Sequence, residues 1–299
     1  MTTDGPRTRL LIFGLGYCGA AVAAVMRAAG YSVTGTVRGT LLADAVRFDP
    51  GRVGTIPFDA AAPAISTATH LLSTVPPGVD GDPVLARYAG DIASAPHLRW
   101  IGYLSSTVVY GDRAGGWVDE DTPPAPSQER GHRRLAAETA WRALAGNCAV
   151  DVFRLAGIYG PGRSAFDTMR AGEARRIVKP GHEFGRIHRD DIVAAVLAAI
   201  RQGPAPGQRI FNLADDTPAE AATVIEEAAR LRNMPPPPAI AFADAAPAMS
   251  PMARSFWAEN RKVASRKTQS TLGLAWRYPS YREGLRAILR EEQGTEGPA

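Results

Sequence analysis

Three glycines directly after a short apolar run are the feature that most constrains this chain. Residues 9–13 read RLLIF, as expected for a strand buried on both faces of a parallel sheet, and an alanine-rich predicted helix reaches Gly30. Between strand and helix, Gly14, Gly16 and Gly19 form the pattern GxGxxG. In this context the first glycine permits a tight turn, the second lets the backbone approach a pyrophosphate, and the third lets the helix pack on the strand. The stretch therefore predicts a dinucleotide site at a helix N-terminus.

Further cofactor contacts are predicted in the same loop and at later strand ends. The other cofactor-binding candidates lie in the glycine loop, after the short predicted strand VGTIPF at 53–58, or at the end of the apolar run at 70–75: Tyr17, Cys18, Asp59, Thr74, Val75 and Pro76. Cys18 resembles a redox thiol near a helix N-terminus, but we interpret it as a small packing residue. Neither Cys18 nor Cys148 belongs to a CxxC or Cys/His pattern, which predicts a reducing compartment and no structural metal.

The end of the second predicted strand bears on the choice of dinucleotide. There the sequence is TVRG, with Arg38 where an NAD-selective site carries Asp or Glu to bind the ribose 2′-hydroxyl. A guanidinium suits the 2′-phosphate of NADP, because its paired donors match the phosphate oxygens. The alternative is a surface arginine at a strand end. The sequence favours NADP(H) over NAD(H) as the cofactor.

Strand-like and helix-like segments alternate through the first half of the chain. Apolar runs at 70–75, 100–106 and 149–155 are separated by predicted helices at 83–95 and 129–145. This alternation predicts an α/β fold: a Rossmann-type doubly wound parallel sheet with a small C-terminal α/β substrate lobe.

Domain boundaries are predicted where this pattern loosens. The predicted organisation is a nucleotide-binding core at 8–160, to which segments within 184–217 return, a smaller lobe at 161–183 and 218–290, and a frayed tail at 291–299. The proline-rich stretch at 234–251 is predicted to be an irregular linker.

Charge and hydropathy limit the partners expected. The formal net charge is +4, but the basic side chains are spread along the chain without interleaved aromatics, which argues against nucleic-acid binding. There is no apolar run of membrane-spanning length and no signal-peptide pattern at the N-terminus. We expect a soluble cytoplasmic protein, monomeric or homodimeric, whose partner is a small-molecule substrate or effector.

An ordered series of motifs extends over nearly the whole chain. The motifs are GLGYCG, VTGTVRG, YLSSTVVYGD, WVDEDTPP, LAAE, RLAGIYGPG, RIHRDDI, FNLADD and WRYPSYREGL. Together they resemble the atypical short-chain dehydrogenase/reductase superfamily, and within it the YeeZ-type group, which is NAD-dependent epimerase/dehydratase-like. The resemblance implies a Rossmann-type nucleotide-binding domain and a small substrate lobe.

The resemblance also implies where catalysis is expected. Extended members of the superfamily use a Ser or Thr at the end of the fifth strand, with a Tyr and a Lys four residues apart on the next helix. The hydroxyl position falls on Ser106, but the Tyr and Lys positions fall on Arg130 and Arg134. A guanidinium has no proton to exchange at neutral pH, and no Tyr lies between Tyr110 and Tyr159 to replace the missing one.

Other groups are weaker candidates for proton transfer. Tyr110 and Tyr159 are predicted in loops at the carboxyl edge of the sheet, although each belongs to a YG motif typical of packing and turns. His132 is predicted to face away from the side of the helix that carries the two arginines. His188 and Asp191 form a possible acid/base pair, or an ordered loop before the next helix.

The two arginines define the functional hypotheses. Arg130 and Arg134 lie one helical turn apart, so both can bind an anion bidentately, unless they are an exposed basic helix start. The first hypothesis is a reductase, epimerase or dehydratase in which Ser106 polarises a carbonyl and the arginines hold an acidic substrate. The others are a catalytically silent NADP-binding sensor or regulatory protein, and a module whose basic face meets another macromolecule. We favour the enzyme, with Ser106, Tyr110, Arg130 and Arg134 as its candidate catalytic residues.

Overall fold

A computed structural model of the chain describes residues 8–38, 53–146 and 148–295. The strands in these ranges are β1 (Arg9–Phe13), β2 (Ser32–Val37), β3 (Gly54–Pro57), β4 (His70–Ser73), β5 (Trp100–Ser106), β6 (Trp117–Val118), β7 (Ala149–Leu155), β8 (Gly157–Tyr159), β9 (Arg176–Val178), β10 (Arg186–His188), β11 (Gly207–Leu213), β12 (Ala239–Ala241) and β13 (Lys262–Val263). The helices are α1 (Tyr17–Ala28), α2 (Ala62–Thr67), α3 (Pro83–Ala93), α4 (Glu129–Arg142), α5 (Ala165–Arg170), α6 (Arg189–Arg201), α7 (Ala221–Leu231), α8 (Phe242–Ala245), α9 (Pro251–Phe256), α10 (Arg266–Leu272) and α11 (Tyr281–Thr295).

Seven of these strands form one parallel sheet, in the order β3-β2-β1-β4-β5-β7-β11. The chain runs from β1 outwards through β2 to β3 and then returns to place β4 on the other side of β1. In open α/β sheets, the carboxyl ends of the strands at such a reversal are where ligands bind. The predicted Rossmann-type α/β fold is confirmed.

The core of the sheet follows from the apolar runs in the sequence. Every residue of β1 after Arg9 is buried. On one face of the sheet, the rings of Tyr103 and Trp141 stack with their centroids 5.8 Å apart. The indole nitrogen of Trp141 donates a hydrogen bond to the buried carboxylate of Asp82, which also caps α3. A polar group at the end of a buried ring is thus satisfied inside the core.

The chain divides into two compact units. Unit 1 comprises residues 1–106, 132–154 and 192–211, and contains the seven-stranded sheet apart from the last residues of β7 and β11. Unit 2 comprises residues 107–131, 155–191 and 212–299. The domain boundaries predicted from the sequence follow strand pattern and not contacts, and they stay a prediction.

Unit 2 is built from short strands and helices around a small apolar cluster. The strands pair in parallel as β8 with β10, β9 with β12, and β6 with β13. The cluster includes Tyr159, Phe166 and Tyr281. The stretch at 234–251, expected to be irregular, contains β12 and α8, and α11 continues beyond residue 290 to Thr295. Three-residue strands are too short to show a period in the sequence.

No helix within the described ranges has both the length and the apolar composition required to cross a bilayer.

Candidate functional site

The glycine loop turns sharply out of the sheet. Gly14, directly after β1, has φ +91°, in the left-handed region that side chains other than glycine rarely adopt. A Cβ at this position would also lie 2.8 Å from Oγ1 of Thr74. The turn is held by Thr36, whose Oγ1 accepts a hydrogen bond from the Gly14 amide and whose carbonyl accepts one from Leu15.

The other two glycines differ in what surrounds them. A Cβ on Gly19 would lie 2.1 Å from the carbonyl oxygen of Gly14, so α1 can approach the loop only without a side chain there. Among the described residues, no heavy atom lies within 4 Å of the Cβ position of Gly16, and no side chain caps α1 at this residue. The loop therefore opens onto free space at the N-terminus of a helix, where backbone amides and the helix dipole favour an anion.

The end of β4 contributes to the same loop. Thr74 Oγ1 donates to the Gly14 carbonyl at 2.8 Å and lies 3.2 Å from the Phe13 carbonyl. The half-buried Val75 packs against the sheet core, and Pro76 is exposed. The structure thus brings together the glycine loop and the candidates after β4, at the reversal between β1 and β4.

The remaining cofactor-binding candidates also belong to unit 1. Tyr17 and Cys18 begin α1, and Cys18 is buried. Asp59 is exposed in a short 3₁₀ helix after β3, 3.4 Å from the Arg87 guanidinium. Arg38 is exposed and directly follows β2.

The hydroxyl candidate lies at the carboxyl end of β5. Ser106 is the last residue of that strand and is half-buried. Its neighbour Ser105 is buried, and Ser105 Oγ donates to Glu138 Oε1 at 2.5 Å. Glu138 also binds the buried Arg154 guanidinium. These buried polar groups fix the strand end that carries Ser106.

Arg134, at the family's lysine position, belongs to unit 1 and is bonded to the same strand. Its Nη1 donates to the hydroxyl of Tyr103 at 2.9 Å and to the Leu104 carbonyl at 3.1 Å. Burial raises the pKa of the Tyr103 hydroxyl, which is therefore neutral at physiological pH. Part of the binding capacity of this guanidinium is thus used inside the protein.

Arg130, at the family's tyrosine position, belongs to unit 2. Its guanidinium carbon lies 4.1 Å from the ring centroid of Phe256, a cation–π geometry. Phe256 is half exposed at the end of α9, and Gln128 Nε2 donates to the carbonyl of Ser255 beside it. The structure therefore gives the two arginines different surroundings.

Two tyrosines weighed for proton transfer are buried in unit 2. Tyr110 is fully buried and donates to Asn212 Oδ1 at 2.8 Å. The Tyr159 hydroxyl donates to the Ser280 carbonyl at 3.3 Å, and burial raises its pKa. Hydroxyls engaged in this way are typical of structural tyrosines.

The pair in RIHRDDI is also held by packing. His188 lies between the rings of Tyr159 and Tyr278, and burial lowers its pKa to about 4. Asp191 accepts hydrogen bonds from the backbone amides of Arg277 and Tyr278, and burial raises its pKa to about 6. This carboxylate fixes the segment before α11. Within the described residues no group of three His, Cys, Asp or Glu side chains is placed to hold a metal ion.

Sequence reasoning missed several groups that shape these positions. The sequence predicts no role for Thr36 or for the pair of Glu138 and Arg154. Their signal is weak, because one is a β-branched residue within a strand and the others are single charged residues whose partners are distant in sequence. Gly35 was missed in the same way. Because it has no side chain, it makes room for Leu15 of the glycine loop.

Comparison with known proteins places these features in context. No protein-family model matches the chain. A conserved protein of unknown function from Silicibacter pomeroyi is 41% identical, with a TM-score of 0.87 over 96% of this chain and 99% of that one. Protein YeeZ of Escherichia coli is 28% identical over 246 residues, 77% of this chain and 85% of YeeZ. The human epimerase family protein SDR39U1, solved with NADPH, shares the fold at 19% identity, with a TM-score of 0.77 over 95% of this chain and 99% of that one.

Proposed function

Because the chain belongs to the atypical short-chain dehydrogenase/reductase superfamily, we propose that it is an NADP(H)-binding oxidoreductase or epimerase-type enzyme acting on a small acidic or sugar substrate. The observation that carries the proposal is the glycine loop at the sheet reversal. Left-handed Gly14, close-packed Gly19 and the open space at Gly16 supply the turn, the helix packing and the approach that a pyrophosphate requires.

The residues present fit a dinucleotide. The space at Gly16 is bounded by the first turn of α1, and the Thr74 hydroxyl holds the loop in shape from the neighbouring strand. The nicotinamide ring of a bound cofactor supplies hydride transfer, which no side chain of the protein can provide. The glycine loop and Thr74 would hold the cofactor, and Ser106 would offer its hydroxyl to the substrate.

Arg38 supports NADP(H) as the preferred form. It is exposed directly after β2, with no acidic residue at that strand end. SDR39U1, which shares the fold, was solved with NADPH.

Substrate activation in this proposal rests on Ser106 and on the two arginines. Ser106 offers a hydroxyl that can donate to a substrate carbonyl from the end of β5. Arg130 and Arg134 replace the family's proton-transfer pair with fixed positive charge, suited to binding an acidic group and not to exchanging protons. Tyr110 has no role as a proton donor here, because its hydroxyl is bonded to Asn212 inside unit 2.

One observation favours a second candidate function, a catalytically silent NADP-binding sensor. Arg134 donates to Tyr103 and to the Leu104 carbonyl, so the lysine position is occupied by a side chain with a structural task. A protein that retains the glycine loop while its catalytic positions serve packing would bind the nucleotide without turnover.

Calorimetric titration of the full chain with NADPH and NADH tests the proposal, followed by a screen of keto acids and acidic sugars for nicotinamide oxidation. We expect tighter binding of NADPH and turnover of at least one substrate class, lost in Ser106→Ala. Binding without turnover across the screen would favour the sensor, and failure to bind either dinucleotide would refute both functions.

A matched titration addresses the arginines. Exchange of Arg130 for Ala should weaken binding of the acidic ligand by about 1.5–3 kcal/mol, less if the position is wet. Arg201→Ala, at the exposed end of α6, is the control. If Arg130→Ala binds every ligand with unchanged affinity, Arg130 does not take part in ligand binding.

A further inference from the structure

A cavity within unit 2 has a volume of about 750 Å³. Its wall is formed by residues after β8, by α5 and the loop that follows it, by the start of β10, and by α7 and α11. All of these segments belong to unit 2. The cavity is thus formed by this unit alone.

Three arginines line this cavity: Arg163, Arg175 and Arg186. Arg186 is the most enclosed, and its Nη1 donates to the carbonyls of Phe184 and Ala219, both at 2.9 Å. These bonds anchor one edge of the guanidinium. Within the described residues Arg186 forms no ion pair, so it brings its charge to the cavity wall without a bonded carboxylate.

Asp215 is the carboxyl group whose charge acts on Arg186, but it does not neutralise the guanidinium. Asp215 is buried, and neither of its carboxylate oxygens has a hydrogen-bond partner among the described residues. Burial raises the pKa of Asp215 to about 8, although the charge of Arg186 acts in the opposite direction. The raised pKa of Asp215 favours its neutral form, and within the described residues Arg186 has no bonded carboxylate. A half-buried cation without a counter-charge is costly unless a ligand supplies one.

The remaining charges of the cavity wall add to the positive balance. Asp167 is already bonded to Ser164 and to Arg170 outside the cavity lining. Arg175 is exposed and, within the described ranges, has no ion pair. Glu173 is exposed and is the other carboxylate of the lining. An anion entering the cavity therefore meets more positive than free negative charge.

Another part of the wall is apolar. Val224 and Ile225 of α7 and Leu285 of α11 contribute aliphatic surface, and Tyr281 adds a buried ring. Concave sites that combine apolar walls with a few polar groups are typical of small-molecule binding.

We propose that this cavity binds a small molecule in which an oxyanion, a carboxylate or a phosphate, is attached to an apolar body. Arg186 is the principal anion-binding group, with Arg175 and Arg163 contributing at the surface, and the α7 and α11 side chains hold the apolar part. The site depends on unit 2 alone and stands whether or not the chain binds a dinucleotide.

The test is calorimetric titration of the full chain, without dinucleotide, with four probes: hexanoate, hexyl phosphate, hexan-1-ol and inorganic phosphate. We expect one of the two hexyl oxyanions to bind at least about tenfold more tightly than hexan-1-ol and than inorganic phosphate, because each of those lacks one half of the recognised structure. The preference between hexanoate and hexyl phosphate identifies the oxyanion. Absence of binding by both at millimolar concentration, or equal affinity for hexan-1-ol, overturns the proposal.

Variants locate the site. Arg186→Gln should weaken oxyanion binding by about 10- to 100-fold, as loss of charged hydrogen bonds predicts, with little effect on hexan-1-ol. Arg175→Ala should weaken it by about 2- to 5-fold because the side chain is exposed. Arg201→Ala removes an equal charge outside the cavity and should change nothing. If Arg186→Gln does not fold, the exposed double variant Arg163→Ala/Arg175→Ala decides, and unchanged affinity in it overturns the proposal.

Discussion

Glu138 of α4 and Arg154 of β7 form an ion pair that is almost entirely removed from solvent, each side chain being 1% exposed. Arg154 Nη2 lies 2.8 Å from Glu138 Oε2, and Arg154 Nε is within hydrogen-bond distance of both carboxylate oxygens. The Ser105 hydroxyl completes the carboxylate's partners. The pair therefore joins α4, which carries Arg130 and Arg134, to β5, which ends at Ser106, and to β7, on which the RLAGIYGPG motif begins.

Removing one charge of this pair should be far more damaging than removing both. Glu138→Gln leaves a buried guanidinium without a counter-charge, and we expect a loss of about 3–5 kcal/mol in the free energy of unfolding. Glu138→Leu/Arg154→Met should recover most of that loss. Urea denaturation of the three proteins measures the difference, with Glu226→Gln, which breaks the exposed pair with Arg176, as a control expected to lose less than about 1 kcal/mol. A loss below about 1 kcal/mol in Glu138→Gln would mean that the pair is not structurally important.

Gly16 and Gly19 should respond to alanine in opposite ways. At Gly19 the new methyl collides with the Gly14 carbonyl, so we expect destabilisation of about 1–3 kcal/mol or more. At Gly16 the methyl meets no atom in the part of the chain that the structure describes, and the backbone is in an extended conformation that alanine adopts, so the cost should stay below about 1 kcal/mol. Gly16→Ala should nevertheless weaken NADPH binding at least about tenfold, or about 1.4 kcal/mol, because the methyl fills the space assigned to the pyrophosphate. Thermal melts and NADPH titrations separate the effects, and wild-type affinity in Gly16→Ala would remove the dinucleotide from this loop.

Arg38→Asp should invert the cofactor preference. The guanidinium is replaced by a carboxylate that repels a 2′-phosphate but accepts hydrogen bonds from a 2′-hydroxyl. We expect NADPH affinity to fall by about tenfold or more while NADH affinity is kept or improved, as measured by parallel fluorescence titrations. Equal weakening of both dinucleotides would show that Arg38 does not recognise the phosphate.

Asp215 should make stability depend on pH. Its pKa is about 8 in the folded protein against an ordinary 3.8, so between these values the folded state keeps a proton that the unfolded state releases. The stabilisation is fully present below about pH 4 and is lost as the pH rises through about 8. Asp215→Asn cannot ionise, so wild type should lose about 2–4 kcal/mol relative to this variant between pH 5 and pH 9. Denaturation curves at the two pH values provide the comparison, and parallel behaviour of the two proteins would contradict the assignment.

The sequence predicts the sheet because local patterns determine its parts. Apolar runs and the glycine loop each lie within a few residues, so β1, α1 and the turn at Gly14 can be derived without knowing the rest of the fold. The short strands of unit 2 cannot be predicted from local patterns. β6 and β13 have two residues each, and they form because distant segments meet and not because of any periodicity.

The candidate catalytic positions follow from motif spacing, but their surroundings do not. Counting from LAAE places Arg134, yet its bonds to Tyr103 and Leu104 join residues about thirty positions apart. The sequence predicts that Tyr110 lies in a loop. Its hydrogen-bond partner Asn212 is 102 residues away in the chain. Pairings over such separations leave no local signature, so the use of a polar group by the protein itself cannot be derived from spacing.

The chain passes between the two units after Ser106, Gly131, Arg154, Asp191 and Phe211. During synthesis, β11 can add to the edge of the sheet only after residues 155–191, which belong to the other unit, have already left the ribosome. Neither unit is therefore available as a continuous fragment for expression, and a nascent chain must hold an unfinished sheet, with the edge of β7 unpaired, until more than two thirds of it has been translated. An unpaired strand edge is prone to association, so this delay exposes the protein to aggregation before it can reach its final fold.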